Sequence, residues 1–140
     1  GKEYGNLKIA QAARINAPIP YDFSGNVLAM SFIGDNGVPA PQLRNANIEK
    51  PEAVLDKIIG QAKRLYEAGL VHADLSEYNI LIKGNEPYFI DFGQAVMTEH
   101  PASGEFLKRD LHNVLDFFSR KYGISRSEEN VFKFVTSSSS

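Results

Sequence analysis

Cysteine and tryptophan are both absent from the 140 residues. Without thiols the chain can form no disulfide, thiolate nucleophile, iron–sulfur cluster or cysteine-bearing zinc site. Its chemistry must come from Asp, Glu, His, Asn, Ser, Lys or Arg. Long apolar runs are missing too: none approaches the ~20 residues of a membrane-spanning helix, and the run from Val27 to Ile33 is interrupted by Ser31. The first residues, Gly1-Lys2-Glu3-Tyr4, lack the basic-then-apolar order of a secretory signal. A cytoplasmic location without membrane association is the resulting expectation. Nor does one sign of charge dominate. Fifteen Lys and Arg against seventeen Asp and Glu give a net charge of −2, which argues against a uniformly basic nucleic-acid-binding face and leaves room for a local patch.

What is there resembles an ordinary globular domain. The hydrophobic fraction is 43% and the charged fraction 23%, and a chain of this length can build one core of its own. Apolar spacing from Tyr4 to Ile15 predicts a helix that Ala17-Pro18-Ile19-Pro20 stops. Ser24-Gly25 is a turn signal between Tyr21-Asp22-Phe23 and Val27–Phe32, which together read as a hairpin. Residues 34–41 read as a loop. Pro51 opens a helix whose apolar face comprises Ala53, Leu55, Ile58, Ile59, Ala62, Leu65, Tyr66 and Ala68, and Gly69 closes it. Ile80–Ile82 and Tyr88–Ile90 flank a turn-rich stretch and read as a second hairpin. A helix over 104–122 ends at Gly123, and Ser127 caps a last short helix.

The chemistry-bearing residues surround the second hairpin. In His72-Ala73-Asp74-Leu75-Ser76-Glu77-Tyr78-Asn79 an Asn stands five positions after an Asp, and Asp91-Phe92-Gly93 begins twelve positions after that Asn. Order, spacing and the intervening hairpin match the kinase pattern H-x-D-x-x-x-x-N followed by D-F-G. Phosphoryl transfer needs an acceptor hydroxyl held in line and cations on the phosphate oxygens. A carboxylate at Asp74 suits the hydroxyl proton. One carboxylate and one amide oxygen, Asp91 and Asn79, are sufficient protein ligands for a Mg²⁺ that keeps several waters.

A longer set of matches carries a closer resemblance. His72–Asn79, Ile90-Asp91-x-x-Gln94, His100-Pro101, Phe106-Leu107-x-Arg109-Asp110, Lys2-Glu3-Tyr4-x-Asn6-Leu7 and Val27–Gly34 together resemble the RIO family of atypical protein kinases, nearest its first subfamily. The resemblance implies an α+β, protein-kinase-like carboxyl-terminal lobe, mostly helical with two short β-hairpins. Residues 1–34 would be a remnant of the small lobe, 35–136 the carboxyl-terminal lobe, and 137–140 a disordered tail. It further implies an ATP-dependent serine/threonine kinase or ATPase acting in small ribosomal subunit maturation. Partners would be ATP with Mg, the pre-ribosomal small subunit or its proteins, and conceivably ribosomal RNA. Asp74 and Asp91 would be catalytic, with Asp91 also a phosphate acceptor, and Asn79 and Asp91 would hold the metal. Met30, Ser31 and Ile33 would form the hinge beside adenine, with Leu81 and Ile90 lining the pocket.

The sequence departs from ordinary kinases in several places. Ser76 stands where a phosphate-contacting lysine is usual, no Ala-Pro-Glu follows Asp91, and neither a Gly-rich loop nor a lysine-bearing strand precedes Glu3. On that reading the 140 residues are an incomplete kinase unit. Ser31 replaces an acidic residue common in the family. Rival readings are a small-molecule phosphotransferase of the aminoglycoside or choline kinase type, a transfer-RNA-modification kinase, and a kinase-derived binding module without turnover. Bland readings stand beside the sharp ones: His72 and His100 as structural hydrogen-bonding groups, and Glu3 as a solvated residue in a frayed turn rather than a helix glutamate. The cluster Lys108, Arg109, Arg120, Lys121 and Arg126 is either a solvated face or a surface for RNA phosphate, and Arg109 with Asp110 is alternatively an ion network around the active-site base.

Overall fold

The computed structural model describes residues 2–24 and 27–138, with the side chains of 22–29 outside the description. Gly25 of the expected turn, and Ser139 and Ser140 of the expected tail, lie outside the described residues. The described residues form four α-helices and four antiparallel strand pairs, so the molecule is α+β and mostly helical. None of these helices is long and apolar enough to cross a membrane.

Helix α1 spans Lys2–Ala12 and leads, through a turn with Arg14 at positive φ, to strands β1 (Pro20–Ser24) and β2 (Val27–Met30). The helix is three residues shorter at its end than the apolar spacing predicts. Residues 34–41, expected as a loop, contain a third strand pair, β3 (Gly34–Asp35) with β4 (Val38–Pro39). Its turn is Asn36-Gly37, both at positive φ, the dipeptide that favours a tight hairpin. A Cβ at Gly34 would lie 2.1 Å from the Val38 carbonyl oxygen, so only glycine fits there.

Helix α2 (Pro51–Glu67) starts at Pro51 and ends as Gly69 turns left-handed. It buries Val54, Leu55, Ile58, Ile59, Ala62 and Leu65, the Val, Leu and Ile side chains each contributing ~1.5–3 kcal/mol relative to exposure; Ala53 and Ala68 are exposed. The buried Gln61 is fully employed. Its Oε1 accepts the Asn16 N–H at 2.7 Å and its Nε2 donates to the Pro87 carbonyl at 2.8 Å, while the Phe89 N–H donates to the Asn16 carbonyl. The segment after α1 is thereby stitched to α2, and Leu7, Ala10 and Ile15 join one apolar core with α2 and α3.

Strand β5 (Leu70–Val71) pairs with β8 (Val96–Met97), and β6 (Ile80–Lys83) pairs with β7 (Glu86–Phe89). The β6–β7 turn is only Gly84-Asn85, both left-handed, tighter than the sequence suggests. Helix α3 (Ser103–Tyr122) buries Leu107, Leu111, Val114, Leu115, Phe117 and Phe118 and stops at Gly123, φ 68°. Helix α4 (Glu128–Thr136) is capped by Ser127, whose hydroxyl accepts the Asn130 N–H at 3.1 Å. At its other end Lys63 donates to the Phe134 and Ser137 carbonyls.

Candidate active site

The loop from His72 to Asn79 emerges from β5 with Ala73 at φ 71°, a left-handed conformation that costs a non-glycine residue energy. Buried Asp110 on α3 compensates. One carboxylate oxygen accepts the Ala73 N–H at 2.8 Å and the other the Leu75 N–H at 3.0 Å. Arg109 donates to the Ala73 carbonyl and Asn113 to the Leu75 carbonyl. Backbone groups on both sides of Asp74 are thus fixed, while Asp74 itself is exposed. Burial pushes the Asp110 carboxyl up to about 7, against the lowering effect of the two N–H donors and of Arg109. Asp110 and Arg109 brace the loop through its backbone groups, not through an ion pair with each other.

Buried His72 joins this loop to the next. Its Nδ1 accepts the Asp74 N–H at 3.2 Å, so Nε2 carries the proton and donates to the Ile90 carbonyl at 2.6 Å. Burial holds its pKa below the ordinary value, opposed by the Ile90 bond and by the charges of Asp74 and Asp91. Both carboxylates therefore lie near one imidazole. The Ile90 N–H donates to the Asn79 carbonyl at 3.0 Å, which sets Asp91 next to a residue bonded to Asn79. The Asn79 amide Nδ2 donates to the Asp74 carbonyl and lies 3.4 Å from Asp74 Oδ2.

Asp91 is left-handed at φ 61° and begins a short 3-10 turn, Phe92–Gln94. Phe92 is fully buried, its ring 4.9 Å from that of His72. Helix α1 grips this residue from both sides: Glu3 Oε2 accepts the Phe92 N–H at 3.2 Å and Asn6 Nδ2 donates to its carbonyl at 2.8 Å. Glu3 is therefore engaged with the Asp-Phe-Gly segment, not simply solvated. Asn6 falls within the Lys2-Glu3-Tyr4-x-Asn6-Leu7 match, but the sequence gives it no role of its own, because a lone Asn on a helix is ordinarily surface.

The donor set suits magnesium. Asp91 is exposed, and among the described residues its carboxylate has no hydrogen bond or ion pair. With Nδ2 of Asn79 committed to Asp74, the oxygen Oδ1 remains as a donor atom. One carboxylate and one amide oxygen, with room for water, is hard-cation chemistry; among the described residues no cluster of three or more His, Asp or Glu offers a different metal site.

At the expected hinge, β2 ends at Met30, which is partly exposed. The Ser31 N–H donates to the Ile19 carbonyl and the Ser31 hydroxyl accepts the Ile19 N–H, so this side chain ties the strand entry to its exit. The Ile33 carbonyl takes the Ala40 N–H. Among the described residues, the Ser31 carbonyl and the Ile33 N–H remain as an acceptor and a donor two residues apart. Leu81 lies half-buried on the face of β6 opposite buried Ile80 and Ile82, and Ile90 is half-buried. His100 is structural in its geometry, accepting the Ala102 N–H. The five basic residues are each committed within the molecule: Lys108 to the Phe132 ring, Arg109 to Ala73, Arg120 to Asp116 and Glu77, Lys121 to the Arg44 carbonyl, and Arg126 to Asp56. Arg120 and Arg126 are paired with carboxylates, whereas Lys108, Arg109 and Lys121 keep their charge on neutral partners.

Residues 1–131 match the family model described as RIO domain. The chain is 43% identical over 134 residues to a RIO-type serine/threonine-protein kinase Rio1 of Thermoplasma acidophilum, covering 96% of this chain and 70% of that protein. It is 41% identical over 138 residues to the serine/threonine-protein kinase RIO1 of Homo sapiens, covering 96% of this chain and 24% of the human protein. Among solved structures it superposes on the Rio2 kinase of Chaetomium thermophilum, described as an ADP/Mg²⁺-phosphoaspartate complex, with TM-score 0.79 and 26% identity over 94% of this chain and 42% of that one. The fold is that of the protein-kinase-like Rio enzymes, and the chain belongs to the RIO domain family.

Proposed function

We propose that the chain is the catalytic-loop and metal-loop part of a RIO-type, ATP-dependent serine/threonine kinase or ATPase, acting in the cytoplasm on small ribosomal subunit precursors. The reading rests on family membership for its reaction class and on one structural observation for its machinery. Through His72, Ile90 and Asn79, the two motifs close on each other so that Asp74, Asn79 and Asp91 share one short stretch of surface.

In this reading Asp91 and the Asn79 amide oxygen hold Mg²⁺, which when bound neutralises phosphate oxygens. Asp74 orients the attacking hydroxyl or water and accepts its proton. The Ser31 carbonyl and Ile33 N–H meet the adenine edge, with Met30, Leu81 and Ile90 flanking the ring. A phosphoaspartate appears in the description of the Rio2 complex, and Asp91 is the residue to which we assign it here. A carboxylate oxygen would form the new P–O bond as the bond to the ADP leaving oxygen breaks, and water would later release inorganic phosphate.

The test uses the full-length protein that carries this chain. Asp91→Asn should abolish Mg·ATP binding measured by titration calorimetry, together with turnover. Asp74→Asn should leave binding within a few-fold and lower the single-turnover rate by ~10²-fold or more. Loss of nucleotide binding in Asp74→Asn with binding intact in Asp91→Asn would overturn both assignments.

A further inference from the structure

The tripeptide Ser76-Glu77-Tyr78 separates the two loop residues assigned above, and neither assignment uses it. It is nevertheless bonded at every position. The Ser76 hydroxyl accepts the Tyr78 N–H at 3.2 Å, and the Ser76 carbonyl accepts the Asn79 N–H at 3.0 Å. On one side, the Glu77 carboxylate meets Arg120 of α3 at 3.3 Å, a guanidinium already set by Asp116. On the other side stands a segment outside both motifs. The Arg44 N–H donates to the Glu77 carbonyl at 3.1 Å, and Gln42 Nε2 donates to the Tyr78 carbonyl at 3.1 Å. Arg44 Nε donates to Gln42 Oε1 at 2.7 Å, and its guanidinium lies over the Tyr78 ring, 4.9 Å from the centroid.

This segment is well anchored. It runs along β6, with the Leu43 N–H on the Ile80 carbonyl, the Ile82 N–H on the Pro41 carbonyl, and Gln42 bridged to Leu81. Lys121 of α3 donates to the Arg44 carbonyl. The loop therefore has two separate anchors. Asp110, Arg109 and Asn113 hold its Asp74 end; Gln42 and Arg44 hold the two carbonyls immediately before Asn79.

We infer that Gln42 and Arg44 are positioning residues that set the Asn79 amide for the metal from the end of the loop opposite Asp110. The inference deepens the proposed function and rests on it. Arg44 acts mainly by orienting the Gln42 amide: its Nε fixes Oε1 as the acceptor, so Nε2 is the atom presented to Tyr78. Gln42→Glu keeps the length and the Arg44 partner while removing the donor, so that a carboxylate oxygen faces the Tyr78 carbonyl. Arg44→Ala keeps the donor and removes what orients it.

In the full-length protein carrying this chain, single turnover at saturating ATP is followed across a Mg²⁺ titration. Each variant should raise the Mg²⁺ concentration for half-maximal rate by roughly 3- to 10-fold, the worth of a net hydrogen bond. The rate at saturating Mg²⁺ should stay within about two-fold of wild type, because the Asp74 anchor is untouched. The double variant should lose less than the sum of the two singles, since both act on the Gln42–Tyr78 bond. An unchanged Mg²⁺ requirement, or a fall only in the saturated rate, overturns the inference. Backbone hydrogen exchange gives an arm that does not depend on turnover: residues 76–80 should exchange faster in both variants while 72–75 stay as in wild type. Unaltered exchange at 76–80 overturns the brace even if wild type shows no Mg²⁺-dependent turnover, a result that would count against the proposed function itself.

Discussion

The segments around Asp74 and Asp91 meet through His72, yet different parts of the chain hold them. Asp74 is set from inside the helical core: Asp110, Arg109 and Asn113 all come from α3, and the backbone N–H and carbonyl groups they satisfy belong to buried residues. Asp91 is set from α1, whose Glu3 and Asn6 take the N–H and carbonyl of Phe92. Both segments contain a non-glycine residue in the left-handed region, Ala73 in one and Asp91 in the other, so both need an external hold. The group that would orient the acceptor is thus built into the stable part of the fold, whereas the group that would bind metal depends on how α1 docks. A shift of α1 could alter nucleotide binding while leaving the Asp74 loop formed.

The largest expected effect breaks the Asp74 side. Asp110→Ala leaves the buried Ala73 and Leu75 N–H groups without an acceptor, at ~1–3 kcal/mol each, so a stability loss of about 3 kcal/mol is expected in chemical denaturation. Asp110→Asn retains one acceptor oxygen and should lose less. A loss below about 1 kcal/mol for Asp110→Ala would mean that the left-handed turn at Ala73 does not need this carboxylate. The pH dependence has a definite sign. With its pKa raised from 3.8 to about 7, native Asp110 binds a proton more readily than the unfolded chain does. Its contribution is fully present below pH 3.8 and is lost as pH rises through about 7.

The intermediate effect breaks the Asp91 side. Asn6→Ala removes the donor to the buried Phe92 carbonyl and should cost about 1–2 kcal/mol. Mg·ATP affinity and the saturated single-turnover rate should both fall, in the direction of Asp91→Asn but by less, while backbone exchange at residues 73–75 stays near wild type. Faster exchange at 73–75 in Asn6→Ala would show that the two segments are not held separately. Such a result would remove the distinction drawn between α1 and α3.

These holds explain which parts of the molecule can be read from sequence. Helices α2 and α3 were legible because their apolar faces repeat at helical spacing and glycines close them. Asp74, Asn79 and Asp91 were legible because a fixed spacing around a hairpin is a pattern in itself. Strands β5 and β8 were not, since two residues are too few to show alternation and their pairing spans the whole β6–β7 hairpin. The β3–β4 pair had a readable signal in Asn36-Gly37, hidden by the neighbouring Pro39 and Pro41, which suggest a loop. The roles of Asn6, Gln42 and Gln61 were beyond reach for a different reason, although Asn6 lies in the Lys2-Glu3-Tyr4-x-Asn6-Leu7 match. A polar side chain is buried or braced only because of distant partners such as Phe92, Tyr78 and Pro87, 86, 36 and 26 positions away, and local pattern contains nothing of that.

The smallest effect sharpens the comparison at His72, which bonds to both segments. His72 is neutral in the fold, its pKa lowered below 6.5 first by burial, with the Ile90 bond, Asp74 and Asp91 acting the other way. As pH falls through 6.5 the unfolded chain takes up the proton first. His72 therefore contributes stability that is complete above 6.5 and is lost as pH falls toward the lower native value. Asp110 opposes it over part of the same range, so wild-type stability alone will not isolate the imidazole. His72→Gln keeps a donor for the Ile90 carbonyl without a titrating ring; acidified from about pH 8 to pH 5.5, it should lose less stability than wild type, and equal losses would mean that His72 titrates normally. NMR titration of the His72 ring then measures the convergence of the two acids. Asp74→Asn and Asp91→Asn each remove a charge that favours the imidazolium, so each should lower the His72 pKa further, and an unshifted value in either variant would place that carboxylate too far from His72 for the site described here.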